Sequence, residues 1–253
     1  MKKLVYILPL LLLAALLVNN MSCSTSRIPK EFPTDTLFTN SDAEGWPLEL
    51  IFIRGKSHNH PLMAAWVTDT NGKYIETLYV AKSIAKGEFE HGDKSTGKWM
   101  PGPIRRPAAL PVWAHQRNVI ETDGLYIPTT ETALPDAITG ATPQNNFVLL
   151  TKTTTKALKE FDVYFEINQT WDWNEYWTNN KYPNDKEYKT SCQPALVYKA
   201  RINADEKESK NLELIGHSHY NGSSGEIFVD LSTITTAKNI SESIKIQFTG
   251  ADK

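Results

Sequence analysis

Between Pro135 and Pro143 the chain holds Asp136, Thr139, Gly140, Ala141 and Thr142 within seven positions. Gly140 and Ala141 offer little steric obstruction. A turn of this kind can therefore present the Thr142 hydroxyl to a modifying enzyme and leave room for a bulky group esterified to it. The same residues also suit an ordinary turn, with Asp136 starting it, Gly140 taking an unusual backbone angle and Thr142 leading into a strand that ends near Leu150. On either view Pro143 restricts the backbone of Thr142.

Two further groups could do chemistry. His58 and His60, and likewise His217 and His219, are two residues apart. In extended backbone each pair puts both imidazoles on one face, so four nitrogens could hold a zinc or copper ion if the pairs met. Against that, His58 sits among Lys56, Ser57, Asn59 and Pro61, as a loop residue would, and no carboxylate stands at the spacing of a zinc protease. The second group is the run Trp171, Trp173, Tyr176 and Trp177, interleaved with Asp172, Asn174 and Glu175. It is either a platform for a sugar ring or a flavin, or a loop whose tryptophans cover the open end of a sandwich. A conventional hydrolase or transferase is not indicated. There is no Gly-x-Ser-x-Gly elbow, Ser223 and Ser224 between Gly222 and Gly225 read as a turn, and no carboxylate pair stands out.

The elements that must position these residues are mostly strands. Leu48 to Ile53 is short and apolar, and Ala64 to Asp69 and Tyr74 to Val80 flank Asn71-Gly72, a pair suited to the positive φ values of a tight hairpin. Phe161, Val163, Phe165 and Ile167 alternate with mainly polar residues, which predicts a half-buried strand. Phe147 to Leu150, Leu196 to Ile202, Leu212 to Ile215, Ile227 to Leu231 and Ile244 to Phe248 complete the set. About eight strands with turn-rich connections predict a mainly β fold, an immunoglobulin-like β-sandwich with few short helices. Helical pattern is confined to Leu110 to Val119 and Thr154 to Glu160.

The chain opens Met1-Lys2-Lys3, runs through the apolar stretch Leu4 to Val18 and reaches Ser22-Cys23. A basic start, an apolar segment and a small residue before a cysteine form a lipoprotein signal over residues 1–22, with Cys23 as the lipid attachment site. Cleavage to a soluble form is the other outcome. Residues 23–44 are polar with scattered prolines and read as a tether, leaving 45–253 as a single β-sandwich domain. Only one other cysteine exists, Cys192, which excludes a cysteine metal cluster and suits a core or strand-end thiol. A formal charge of −2 without a basic stripe makes nucleic acid a poor partner, and Arg105-Arg106 reads as a solvated pair in a proline-rich loop.

Asp136, Thr139, Gly140, Ala141 and Thr142 fit Asp-x-x-[Ser/Thr]-Gly-Ala-Thr. This pattern resembles the acceptor site of proteins that carry covalent FMN, in which the flavin phosphate esterifies the last threonine. The hairpin from Trp66 to Val80, that motif, Gln193 to Tyr198 and Leu214 to His217 together resemble the domain-of-unknown-function 2271 family, over about Leu48 to Phe248. These are exported bacterial proteins often encoded beside flavin transferases and membrane redox partners. The resemblance implies a membrane-anchored, extracytoplasmic lipoprotein, facing the periplasm or on the cell surface. It would serve flavin-based electron transfer, with FMN on Thr142 or on a partner. The alternative is a non-catalytic binding module that contacts a glycan or a partner protein through Trp171, Trp173 and Trp177.

Overall fold

Alternating burial along Pro47–Arg54 (β2) puts Leu48, Leu50 and Phe52 on the core side, and the flanking strands repeat the pattern. In this computed structural model, which describes residues 32–206 and 209–248, β2 pairs antiparallel with Asn146–Lys152 (β8) and with Ser241–Phe248 (β13). Thr34–Phe38 (β1) adds to β8 in parallel and Ser209–Asn211 (β11) adds to β13, making a five-stranded sheet in the order β1-β8-β2-β13-β11. A six-stranded sheet packs against it. Its order is Glu213–His217 (β12), Leu196–Asn203 (β10), Glu160–Asn168 (β9), Leu62–Thr68 (β3), Tyr74–Ala81 (β4) and the two-residue Thr139–Gly140 (β7), parallel to β4. Glu88–Asp93 (β5) and Met100–Pro103 (β6) form a separate hairpin. The main core lies between the two large sheets, around Phe52, Phe147, Phe165 and Ile246.

The fold is mainly β, in two packed mixed sheets, but the described residues form thirteen strands and not about eight. The additional ones are short, polar or at edges, so they carry little alternation. Thr34–Phe38 falls within the stretch expected to be a tether, so ordered structure starts before residue 45. Ile227 to Leu231 is not a strand. It contributes one bridge, His217 to Phe228. Thr154 to Glu160 is not a helix, because threonine hydroxyls capture the local backbone: Thr153 Oγ1 accepts from Trp46 N and donates to Thr155 O, and Thr155 Oγ1 accepts from Ala157 N. The helix expected over Leu110 to Val119 is present as Pro111–Arg117, here α2, after the shorter Lys82–Lys86 (α1) and before Tyr188–Ser191 (α3). Proline opens α2, and Asn118 ends it at φ +55°. The signal over residues 1–22 and Cys23 lie outside the described residues.

The β3–β4 hairpin turns through Asp69–Lys73. Gly72 N donates to Asp69 O, and Asp69 Oδ1 accepts from the amides of Asn71 and Lys73. Of the Asn71-Gly72 pair expected to take positive φ, only Gly72, at φ +83°, does so.

Both faces of β9 are buried, which corrects the half-buried expectation. Phe161, Val163, Phe165 and Ile167 face the main core. A second core on the outer face of the six-stranded sheet joins Trp66, Val80, Tyr164 and Val197 to Ile84 of α1 and Val112 and Trp113 of α2. The polar residues of β9 are satisfied there. Asp162 binds Arg201 and Lys199. Glu166 accepts from Val112 N and Trp113 N at the start of α2, and complete burial pushes its pKa up to about 8.

Candidate functional site

β4 runs into α1, and the chain later returns along the β4 edge with the 3-10 turn Asp136–Ile138 followed by β7. Val80 pairs with Thr139 and Ala81 with Gly140. Beyond that two-residue strand, Ala141 is exposed, Thr142 is half-exposed and Pro143 is buried. Thr142 O accepts from Gln144 Nε2 at 3.2 Å, while its hydroxyl has no hydrogen-bond partner among the described residues.

Gly140 has a packing reason beyond access. A Cβ there would stand 2.9 Å from Tyr79 Cε2, and the Tyr79 hydroxyl donates toward the carbonyls of Gly140 and Ala141 at 3.4 and 3.2 Å. Burial pushes the Tyr79 pKa up, so the phenol stays a neutral donor. Asp136 is exposed and pairs with Lys86 at 2.9 Å. That partner holds its carboxyl below the usual range and ties the 3-10 turn to α1.

Thr142 and Ala141 line a surface cleft of about 260 Å³ together with Lys82, Lys86, Phe89 and Pro101. Lys86 is occupied by Asp136 and by Leu134 O, while Lys82 has no ion pair among the described residues. Glu88 and Glu90 border the same cleft, so the positive charge is local. Phe89 is backed by the Arg106 guanidinium, 4.2 Å from its ring centroid. The Arg105-Arg106 pair is accordingly engaged and not simply solvated: Arg106 also donates to Thr170, and Arg105 pairs with Asp123 and donates to Ile127 O. Lys82, Lys86 and Phe89 escape the motif-based reading. Their sequence trace is a basic pair four residues apart ahead of the helix-stopping Gly87.

The four histidines do not assemble a metal centre. No group of three or more His, Cys, Asp or Glu is placed to hold an ion among the described residues. His58 is buried against Phe52 with neither ring nitrogen bonded, and burial, with the nearby Arg54 charge, lowers its pKa to about 4. His60 is exposed beside Asn59, His217 is buried and stacks on Phe228, and His219 lies against Tyr220. Cys192 is buried and free, at φ +68°. The aromatic run divides: Trp177 is buried, whereas Trp171, Trp173 and Tyr176 are 66, 56 and 50 % exposed.

Comparison with protein-family models, with curated proteins and with solved structures finds no match to this chain. The resemblance to the domain-of-unknown-function 2271 family therefore stands on the residues quoted for it.

Proposed function

We propose that this chain is an extracytoplasmic lipoprotein of a flavin-based electron-transfer system, anchored through Cys23 and carrying FMN esterified to Thr142. The supporting observation is the half-exposed Thr142, whose hydroxyl has no hydrogen-bond partner among the described residues, on a cleft that also holds Lys82, which makes no ion pair among them. The immunoglobulin-like character of the scaffold and membership of the domain-of-unknown-function 2271 family belong to the same reading.

The residues present fit a flavin phosphate. Thr142 supplies the oxygen to be esterified: it would attack the flavin-bearing phosphorus of a flavin dinucleotide, the pyrophosphate P–O bond would break with AMP as the leaving group, and the hydroxyl proton would pass to a base of the transferase. Lys82 offers a charge to the resulting phosphodiester, Lys86 keeps Asp136 from repelling it, and Phe89 and Pro101 give an apolar wall. Sites that enclose a drug-sized ligand measure roughly 300–1,000 Å³, so a cleft of about 260 Å³ would leave the flavin ring outside, open to partners. Bound FMN supplies the one- and two-electron chemistry. The implied partners are a flavin transferase and membrane redox proteins.

The test is the intact mass and in-gel flavin fluorescence of the chain co-expressed with a bacterial flavin transferase, beside Thr142→Ala. One covalent FMN on the unmodified sequence and none on the variant is the expected result. No flavin on either, while a proven acceptor is loaded in the same cells, overturns the reading.

A further inference from the structure

At a second site, the loop following β9 exposes three aromatic rings within six residues, and its backbone is held to do so. Trp171 stands at φ +58°, an uncommon conformation for a bulky side chain, and Cys192, bridged to the neighbouring Asp172, stands at φ +68°. The strain is locked in. Trp171 N donates to Thr190 O, Asp172 N to Ser191 O, and Trp173 N to Trp171 O. Asn174 is the hub: its Oδ1 accepts from Tyr176 N and Trp177 N, and its Nδ2 lies within 3.1 Å of Gln193 Oε1, Thr233 O and Thr235 Oγ1. Trp177 is the buried anchor, donating from Nε1 to Thr233 Oγ1. A loop built this firmly around solvent-exposed tryptophans is preorganised for a ligand.

From Tyr176 a series of ring contacts, through the buried Trp177, leads into a cleft. Tyr176 meets Trp177 at 5.1 Å, Trp177 meets Tyr220 at 6.3 Å, and Tyr220 stacks on Tyr182 at 4.2 Å. Tyr182 and Tyr220 line an open cleft of about 650 Å³, with Asn184 and Lys186 as exposed polar groups. Asp185 is already used by the amides of Glu187 and Tyr188 and by Asn221.

We infer that the Trp171–Tyr176 loop and the adjoining Tyr182–Tyr220 cleft form a binding site for an oligosaccharide of pyranose units. The C–H face of a pyranose matches the negative face of an aromatic ring, and its hydroxyls need nearby polar partners. The loop offers rings interleaved with Glu175, Thr178, Asn179 and Asn180. Aromatic residues are enriched at protein interfaces as well, but interface cores are depleted of charge, whereas Glu175 and Lys181 stand among these rings. The exposed large aliphatic side chains, Met100, Val119, Ile120 and Val229, all lie outside this loop.

The test is isothermal titration of the full chain with cellohexaose, chitohexaose and hexagalacturonate, against Trp171→Ala/Trp173→Ala and Trp99→Ala, with thermal unfolding to show that each variant folds. Binding of at least one hexasaccharide, weakened tenfold or more by the double substitution and unchanged by Trp99→Ala, is expected. Trp171→Phe/Trp173→Phe, which keeps the rings, should restore most of it. Failure of all three sugars to bind overturns the inference, as does binding indifferent to the two tryptophans, or a protein partner that occupies the loop. None of these outcomes depends on whether Thr142 carries flavin.

Discussion

The β7 edge at Thr142 and the aromatic loop at Trp171 are both half-exposed excursions from the six-stranded sheet, yet they are built in opposite ways. The edge is held by a two-residue strand, one phenol and one surface ion pair, and its hydroxyl is unbonded among the described residues. The loop is densely hydrogen-bonded through Asn174 and holds backbone in a sparsely populated conformation. A residue that another enzyme must reach and modify gains from a thinly bonded setting that can adjust. A surface that must recognise a ligand unaided gains from being fixed beforehand.

The largest contrast should come from chemistry and not stability. Thr142→Ala should abolish covalent flavin completely, while changing unfolding free energy by less than about 0.5 kcal/mol, because the half-exposed hydroxyl has no hydrogen-bond partner among the described residues. Measurable destabilisation would mean that this hydroxyl is structural. The loop should behave in reverse. Asn174→Ala strands two backbone amides and leaves Gln193, Thr233 and Thr235 without their shared donor, so it should cost about 2–3 kcal/mol and lower Tm by roughly 4–10 °C, with flavin loading unchanged. Thermal unfolding of the two variants side by side decides it.

A pH comparison sharpens the contrast, because each region is backed by a different buried titratable group. Glu166 sits in the second core with α1, whose lysines face Thr142. Its pKa is about 8 when folded and 4.5 otherwise, so its contribution is whole below 4.5 and lost as pH rises to 8, at about 1.4 kcal/mol per pH unit. His58 lies in the segment whose Asn59 amide bonds Gln169, just before the aromatic loop. Its pKa is about 4 when folded and 6.5 otherwise, so its contribution is whole above 6.5 and lost as pH falls to 4. Between 4.5 and 6.5 the two slopes oppose. Above 6.5 only that of Glu166 remains, and Glu166→Gln should flatten it, while His58→Phe should flatten the acid side. Urea unfolding at a series of pH values reads both, and an unchanged slope in Glu166→Gln would show that Glu166 is not the group responsible.

How much of this was legible in the sequence follows from where the partners lie. The alternation in Leu48–Phe52 and Phe147–Thr151 reports one apolar face, and those strands fall where the pattern puts them. The polar residues of β9 mislead, because Asp162 and Glu166 look solvent-facing until Arg201 and the start of α2 are brought to them from far along the chain. The motif at Thr142 is visible because it is local. Lys82 and Phe89, which share its cleft, come from a segment more than fifty residues earlier in the chain and carry no motif of their own. The aromatic run is likewise visible, but the sequence cannot separate Trp177, which is buried, from Trp171 and Trp173, which are not.

The smallest effect tests whether the edge is as adjustable as the comparison requires. In Gly140→Ala the added Cβ would stand 2.9 Å from Tyr79 Cε2. The obstacle is a ring held from below by the core, so either the ring tilts and its hydroxyl leaves the carbonyls of Gly140 and Ala141, or the edge lifts. Either response should cost about 1 kcal/mol, similar to removing the hydroxyl in Tyr79→Phe. If one contact underlies both losses, the double variant should cost clearly less than the sum of the single ones. Flavin loading at saturating transferase should persist in all three. Strict additivity in unfolding would place the two residues in separate interactions. Loss of loading in Gly140→Ala alone would show that the edge is held rigidly for its modification, and the contrast with the aromatic loop would fail.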